Sequence, residues 1–265
     1  FFAHQAPVLP LARRWAWFDG TALCIGSMAP DLAYPLGPWM AQHSHQIGGL
    51  LAWAVPAGVV ISRVVRRWVA PVAFAHLPEP RPVPIHDLGV IAARRPPMAA
   101  TALAVALGAV THLALDEFTH ARSFGTPSIG LDRTLSVAGR RVELTWLLQT
   151  LGLTVGTLVG VLFLAGFLRS GVLRARYGDS AVDAARSRVP SRLGRAAFWS
   201  LVAAGLPLGL LSQRSIGGLT VFHVFDATAL TTLLACLIPA CRPVAPPGER
   251  HAPSTVERTR LSRGG

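Results

Sequence analysis

The chain has 265 residues, of which 51% are hydrophobic and only 14% charged, and its formal net charge is +12. A soluble domain carries about 25% charged residues, so this composition excludes an ordinary soluble globular protein and favours one that lies in a membrane. All 25 basic residues are arginines. They flank apolar runs, as in the cytoplasmic loops of membrane proteins, so we expect membrane lipid and no nucleic acid among the partners.

Two N-terminal stretches are apolar but short. PVLPLARRWAWF predicts an amphipathic helix, and TALCIGSMAP predicts a buried or re-entrant helix that ends at Pro30. A spanning helix needs about 20 apolar residues, so neither stretch is expected to cross a membrane alone.

Five later stretches are long enough to predict spanning helices. They cover residues 47–65, 98–118, 144–168, 196–211 and 220–241, and Pro56 predicts a kink in the first. The predicted fold class is therefore all-α: a polytopic transmembrane helical bundle of about five spanning helices, with N-terminal amphipathic or re-entrant helices.

The remaining segments predict the domain organisation. Residues 1–241 are expected to form a single membrane-embedded helical domain, in which the proline-rich linker HLPEPRPVPIHDLGVIAARRPP is irregular. Residues 242–265 are polar and rich in proline and arginine, which predicts a disordered cytoplasmic tail.

The arginines also predict an orientation. The segments 63–95 and 169–195 and the tail from residue 242 carry 18 of the 25 arginines, whereas the segments 1–46, 119–143 and 212–219 carry seven. The positive-inside rule makes the first set cytoplasmic. Because the arginine-only composition is typical of a GC-rich bacterial genome, we expect a multi-pass protein of the bacterial cytoplasmic membrane, with its N-terminal region outside.

The second predicted span ends in GAVTHLALDEFTH, which carries the main chemical signal. His112, Asp116 and His120 are spaced i, i+4 and i+8, so on a helix they share one face. Imidazole and carboxylate at that spacing can bind one first-row metal ion such as zinc, and ionisable groups in a membrane helix are usually functional. The alternative is a solvated helix end, the environment that we expect for Glu117.

Three further residues are expected at the same end of the bundle. Asp31 follows Pro30, His45 precedes the first span, and His4 lies near the start of the chain. Each has a simpler reading, as a helix cap or an interfacial hydrogen-bonding group. Together with the stripe they predict a His/Asp cluster that opens on the outer face.

Four ordered motifs give the sequence a family resemblance. AHQAPVLPL, IGSMAPDLAY, SHQIGGLL and GAVTHLALDEFTH follow the pattern of a bacterial membrane family, domain-of-unknown-function family 4184, over about residues 1–170. That family resembles membrane-bound proteins described as metal-dependent hydrolases, and its stripe is similar to one in zinc-dependent phospholipase C. The resemblance implies that the family's polar residues are His4, Asp31, His45, His112, Asp116 and His120. Thr150 stands where a histidine or similar group would be expected, so the pattern assigns the neighbouring Gln149 no role.

The leading hypothesis is a metal-dependent hydrolase, phospholipase C-like, that acts on a lipid or phosphoester at the outer face of the membrane. All six polar residues are candidate ligands of a divalent metal, zinc by preference, and Asp31 or Asp116 could equally act as general base. Four arginines could meet a phosphate or anchor headgroups: Arg13, Arg14, Arg122 and Arg133.

Two other functions fit the same residues. The stripe could relay protons or metal ions in a small transporter, which predicts polar groups that continue into the cytoplasmic half of the bundle. Alternatively, the protein is structural and non-catalytic, and any metal only joins helices. An open coordination position would distinguish a catalytic site from such a closed one.

Overall fold

The computed structural model describes residues 2–14, 18–120, 125–137, 139–216 and 220–244. Most of these residues are helical, as predicted. The helices are, in chain order, α1 Val8–Arg14, α2 Gly20–Gly26, α3 Pro38–Ser44, α4 Ile47–His76, α5 Met98–Thr119, α6 Gly125–Ser128, α7 Leu144–Arg169, α8 Val172–Tyr177, α9 Asp179–Arg186, α10 Arg192–Ile216 and α11 Thr220–Leu237. Short 3₁₀ helices cover Phe2–Gln5, Asp31–Leu36, Ile85–Ala93 and Pro239–Cys241.

Four helices are long and apolar enough to cross a membrane: α4, α5, α7 and most of α10. Helices α5 and α7 begin at the predicted residues and extend one residue further than predicted. The fifth predicted span is helical in α11, but its described part is shorter than the other four. The predicted helical architecture is therefore confirmed, with four helices of spanning length in the described part of the chain.

Helix α4 is 30 residues long, much longer than the predicted span. It contains two π-helical segments, Leu50–Ala54 and Val65–Val69, and each ends just before a proline, Pro56 or Pro71. Proline has no N–H and clashes with the preceding turn, and a local π adjustment lets the helix continue through it.

The N-terminal helix pair, α1 and α2, extends to the arginine-rich end of the bundle. The Asp19 carboxylate caps α2, pairs with the guanidinium of Arg66 and accepts a 3.0 Å hydrogen bond from the hydroxyl of Thr101. Thr101 precedes Asp116 by 15 residues, which is about 22 Å along a helix. Asp19 thus lies at the end of α5 opposite Asp116, so the N-terminal region reaches both ends of the described bundle, and its outer location stays a prediction.

Arg13 and Arg14 lie at the same end of the bundle as this helix pair. Arg176 in α8 donates hydrogen bonds to the carbonyls of Ala12 and Arg13, 2.5 and 3.0 Å long. Arg13 and the adjacent Arg14 thus lie at the arginine-rich end and not at the end where they were predicted. Their position increases the difference in arginine content between the two ends.

Two smaller predictions also differ from the structure, and a third concerns residues outside the described ranges. The linker is not wholly irregular, because Ile85–Ala93 is a 3₁₀ helix that buries Asp87 against Arg186, with a 2.8 Å ion pair. The segment predicted as an outer loop contains an antiparallel hairpin, Thr134–Val137 with Arg140–Glu143, so the all-α prediction misses two short strands. Residues 245–265 of the predicted tail lie outside the described ranges.

Candidate metal centre

The histidines and aspartates of the predicted cluster meet where α5 ends and α4 begins. Asp31 starts the 3₁₀ helix Asp31–Leu36, His45 follows α3, and His112 and Asp116 lie one turn apart in α5. His4, in the 3₁₀ helix Phe2–Gln5, reaches the same point.

His112 is the most deeply buried member, with 0% of its side chain exposed. Its Nδ1 donates a 2.9 Å hydrogen bond to the Ser27 carbonyl just after α2, since a carbonyl can only accept. The close approach of α2 and α5 makes this contact possible: Gly26 faces the backbone of Val105, and Gly108 faces the carbonyl of Leu23. The Nε2 atom of His112 consequently points into the cluster.

His45 is oriented in the same way. Its Nδ1 lies 2.8 Å from the carbonyl of Ala41 and 3.0 Å from the hydroxyl of Ser44. Ser44 also donates a 3.0 Å hydrogen bond to the carbonyl of Pro30, so one polar network positions both His45 and the start of the Asp31 segment. A histidine whose Nδ1–H donates to a backbone carbonyl presents Nε2 as a ligand, the arrangement common at metal sites.

Four ligand atoms form a closed ring, hereafter the four-residue ring: Asp31, His45, His112 and Asp116. Oδ1 of Asp31 lies 3.3 Å from Nε2 of His45 and 3.5 Å from Nε2 of His112. Oδ2 of Asp116 lies 3.1 Å from Nε2 of His112 and 3.7 Å from Nε2 of His45. Ligand atoms 2.0–2.1 Å from a tetrahedral zinc ion are separated by roughly 3.3 Å, and these four neighbouring pairs come close to that separation. The sets of three whose ligand atoms all lie within 4.8 Å of one another are Asp31, His45 and His112, and His4, His112 and Asp116.

The ring contains buried negative charge and a buried polar atom without a partner. Nε2 of His112 is inaccessible to solvent and has no hydrogen bond of good geometry, although two carboxylates face it. Such an atom is costly to bury. A proton shared with Oδ2 of Asp116, 3.1 Å away, or a cation bound by these groups would each satisfy this atom.

His4 lies beside the ring. Its imidazole stacks on that of His112, with ring centroids 3.9 Å apart, and its Nε2 lies 3.9 Å from Oδ1 of Asp116. Burial, followed by the charge of His112, lowers the pKa of His4 to about 4, against the opposing effect of the two aspartates. His4 is thus neutral at physiological pH, the form that binds metal ions.

His120 is close to Asp116 but is not part of the helical stripe. Its backbone is extended at the C-terminal cap of α5, and its Nδ1 lies 3.5 Å from Oδ1 of Asp116. On its other side, the amide nitrogen of Gln149 in α7 lies 3.2 Å from its Nε2. His120 thus lies between Asp116 and Gln149, and its role as a metal ligand stays a prediction.

Sequence reasoning missed three contributions to this site. The carbonyl of Ser27 has no sequence signal at all, and Gln149 had been given no role. The Tyr34 ring meets the His45 ring edge-on at 5.5 Å. Burial, reinforced by Asp31 and Asp116, raises the pKa of Tyr34 to about 12, so this hydroxyl remains protonated, and its place three residues after Asp31 in PDLAY could have drawn attention to it.

The other candidate residues lie elsewhere. His43 is half-buried on α3, stacked on Trp39, and its Nδ1 donates to the Trp39 carbonyl. Glu117 accepts a hydrogen bond from the backbone of Gly125, apart from the ring, as expected for a residue at the helix end. Of the four arginines expected near a phosphate, Arg133 is exposed on a loop at this end, Arg122 lies outside the described residues, and Arg13 and Arg14 lie at the opposite end.

The fold and the cluster define a helical protein with four helices of membrane-spanning length and a His/Asp constellation at the end of two of them. The chain matches the family described as a domain of unknown function (DUF4184) over residues 1–240, and it belongs to that family. The resemblance to this family is therefore confirmed, and it extends beyond the first 170 residues; the bacterial origin and the relation to metal-dependent hydrolases stay predictions. No curated protein and no solved structure matches the chain.

Proposed function

We propose that this protein is a metal-dependent hydrolase of a lipid or phosphoester, working at the membrane interface. The observation that supports this most directly is the arrangement around His112, whose Nε2 lies 3.1 Å from an oxygen of Asp116 and 3.5 Å from an oxygen of Asp31, and which belongs to two sets of three ligand atoms within 4.8 Å of one another. His112 with Asp31 and His45, or His112 with His4 and Asp116, would hold a divalent ion such as zinc through three protein ligands and leave a fourth position for water, as in catalytic zinc sites.

Partial exposure of the cluster supports catalysis over a purely structural role. His112 is fully buried, but the side chains of His45, Asp116 and His4 are 20%, 14% and 17% exposed. A closed structural site has no opening to solvent, whereas a hydrolytic site needs access for water and substrate.

The chemistry of the proposed step is a simple displacement. A bound divalent ion would make water more acidic and polarise the phosphoryl oxygen. The oxygen of water bonds to phosphorus, the ester P–O bond breaks, and the alcohol departs with a proton. Asp31 or Asp116 accepts the proton of the attacking water, while His120 and Gln149 hold the orientation of Asp116.

The surroundings of the site support a substrate that lies at the lipid interface. Large apolar side chains are exposed at this end of the bundle, among them Trp39, Ile47 and Trp146, which are 67%, 82% and 58% exposed. Exposed tryptophans are typical of the membrane–water boundary. The exposed Arg133 is available to a phosphate, so a phospholipid or another membrane-associated phosphoester is the substrate class that we favour.

The arginine distribution supports an outer location for the site. Among the described residues, the segments at the site end carry four arginines: Arg133, Arg140, Arg141 and Arg214. By the positive-inside rule, the opposite end of this proposed bacterial cytoplasmic membrane protein would face the cytoplasm, and the cluster would be extracytoplasmic.

A proton or metal-ion relay is less well supported. Helix α5 has no ionisable side chain between Thr101 and His112. Residues 20–30 have one, the thiol of Cys24, whose pKa burial raises to about 12. A relay across a membrane needs a chain of polar groups. The two polar ends of the bundle are separated by an apolar stretch on both helices.

Metal content tests the site. Full-length protein purified in detergent is expected to contain near-stoichiometric zinc or another divalent metal by elemental mass spectrometry, after supplying the metal if necessary. His112→Ala and Asp31→Asn should lose it while remaining monodisperse, and His43→Ala is the matched control because its imidazole lies outside the ring, against Trp39. A wild-type protein that binds no supplied metal would refute the proposal.

Activity tests catalysis separately. Metal-loaded protein should release the alcohol or phosphorylated headgroup from a panel of short-chain phospholipids and phosphoesters, and the Asp116→Asn protein should not. A protein that holds stoichiometric metal but hydrolyses none of the panel would instead support the structural role.

A further inference from the structure

A second cavity lies at the opposite end of the bundle from the metal centre. It measures about 530 Å³ and is enclosed by α1, α2, α4, α7, α8 and the linker before α5. This volume is within the range of about 300–1,000 Å³ that is typical of small-molecule sites. We refer to it as the arginine cavity, because its wall includes Arg66, Arg94, Arg95 and Arg176.

The arginine cavity has positive charge without a matching negative charge. Among the described lining residues the single carboxylate is Asp19, and it is already neutralised by Arg66. Arg94 packs its guanidinium over the Tyr177 ring at 5.7 Å, and Arg176 donates to two backbone carbonyls, so neither has an anionic partner in the described part of the chain. The cavity therefore carries the charge that an anion would balance.

Arg94 and Arg176 also affect one another. Burial lowers the pKa of Arg176, Tyr177 opposes that effect, and the charge of Arg94 lowers the pKa further. Two guanidinium groups that repel each other across a cavity would both be stabilised by a phosphate between them, since arginine binds phosphate through paired hydrogen bonds.

The rest of the wall is apolar and continues onto a lipid-facing helix. Leu9, Phe18 and Phe74 line one side, and Leu164 and Phe167 of α7 line the other. Helix α7 is the least covered of the four long helices, with only 11% of its apolar window buried. A ligand could thus extend from the arginines along α7 into the bilayer, which fits an acyl chain and does not fit a free inorganic anion.

We propose that the arginine cavity binds an anionic phospholipid from the arginine-rich, cytoplasmic side, with its phosphate at Arg94, Arg95 and Arg176 and its acyl chains along α7. Basic pockets between membrane helices on the cytoplasmic side commonly hold anionic lipid headgroups. This site is about 22 Å from the metal centre along α5, and it does not depend on the proposed hydrolase activity.

The test compares two tandem arginine pairs in the full-length detergent-purified protein. Arg94→Gln/Arg95→Gln removes two charges from the cavity, and Arg140→Gln/Arg141→Gln removes two from the exposed strand at the other end. Binding of short-chain phosphatidylglycerol, phosphatidylcholine of the same chain length and inorganic phosphate is measured by microscale thermophoresis, with size-exclusion chromatography as the check on folding.

We expect the cavity pair to weaken phosphatidylglycerol binding by roughly tenfold or more, because two basic contacts are lost, and the strand pair to leave it within about twofold. Phosphatidylcholine and inorganic phosphate should both bind more weakly than phosphatidylglycerol. Equal loss in both double variants would show only general charge attraction and overturn the proposal. Inorganic phosphate binding as tightly as the lipid would overturn it too, in favour of a free anion.

Discussion

Helix α2 is expected to position the metal centre through one close backbone contact, and Gly108→Ala tests this. A Cβ atom on Gly108 would lie 2.2 Å from the carbonyl oxygen of Leu23 and 2.7 Å from the backbone nitrogen of Ser27. Both neighbours are backbone atoms, so no side chain can rotate away. Because non-bonded contacts below about 3 Å are strongly repulsive, α2 must move by about 1 Å.

That movement lengthens the hydrogen bond that orients His112. The hydrogen bond from Nδ1 of His112 to the Ser27 carbonyl is 2.9 Å long, and an extra 1 Å takes it beyond the limit of about 3.2 Å. Overpacking costs about 1–3 kcal/mol and the lost hydrogen bond about 1 kcal/mol, so Gly108→Ala should be destabilised by about 2–4 kcal/mol relative to a neutral Gly→Ala change. Loss of a group that orients a metal ligand typically lowers metal affinity by about 10- to 100-fold.

Gly166→Ala is the matched control. Gly166 lies in α7, and a Cβ atom there has no neighbour within 4 Å, so the substitution should be neutral or slightly stabilising because alanine favours helix. The two variants are compared by thermal denaturation in detergent and by competition with a zinc chelator. If Gly108→Ala bound metal as tightly as wild type and denatured at the same temperature as Gly166→Ala, α2 would not be the element that holds His112.

Two further predictions concern residues outside the ring. Replacing Asp19 with Asn or Arg66 with Met leaves one buried charge unpaired and should lower the free energy of unfolding by about 3–5 kcal/mol. The double variant should be less affected than the sum of the two, and additive effects in a double-mutant cycle would contradict the ion pair. Gln149→Leu should weaken metal binding or activity by about tenfold with little change in stability, because it frees His120 at an exposed position. Thr150→Val is its control, since that hydroxyl bonds only within its own helix, and an effect of equal size would refute a role for Gln149.

The long helices could be predicted because their signals are local. Helix α5 follows two prolines, which favour a helix start, and its uninterrupted apolar run gives its length. The spacing of His112 and Asp116 also needed only the helical repeat. For these elements, the length of the apolar run and the helical spacing of side chains are visible in the sequence and recur unchanged in the structure.

The N-terminal helix pair could not be predicted, because its position depends on a contact between distant residues. Asp19 and Arg66 are 47 positions apart, and neither α1 nor α2 is long enough to cross a membrane. From helix length alone, the whole N-terminal region was therefore predicted to lie on one side of the membrane. The strands at Thr134–Val137 and Arg140–Glu143 were missed for another reason: their described side chains are mostly exposed, so they carry no alternating apolar pattern.

The position of α2 has a consequence for communication between the two ends of the molecule. Its cap, Asp19, belongs to the wall of the arginine cavity, and the chain after it leads through Ser27 to Asp31 in the ring. If the proposed lipid shifts α2 along its axis, it would alter the affinity for the proposed metal ion, without any contact between the two ligands. Such coupling is reciprocal, so the metal ion would change the affinity for that lipid by the same factor.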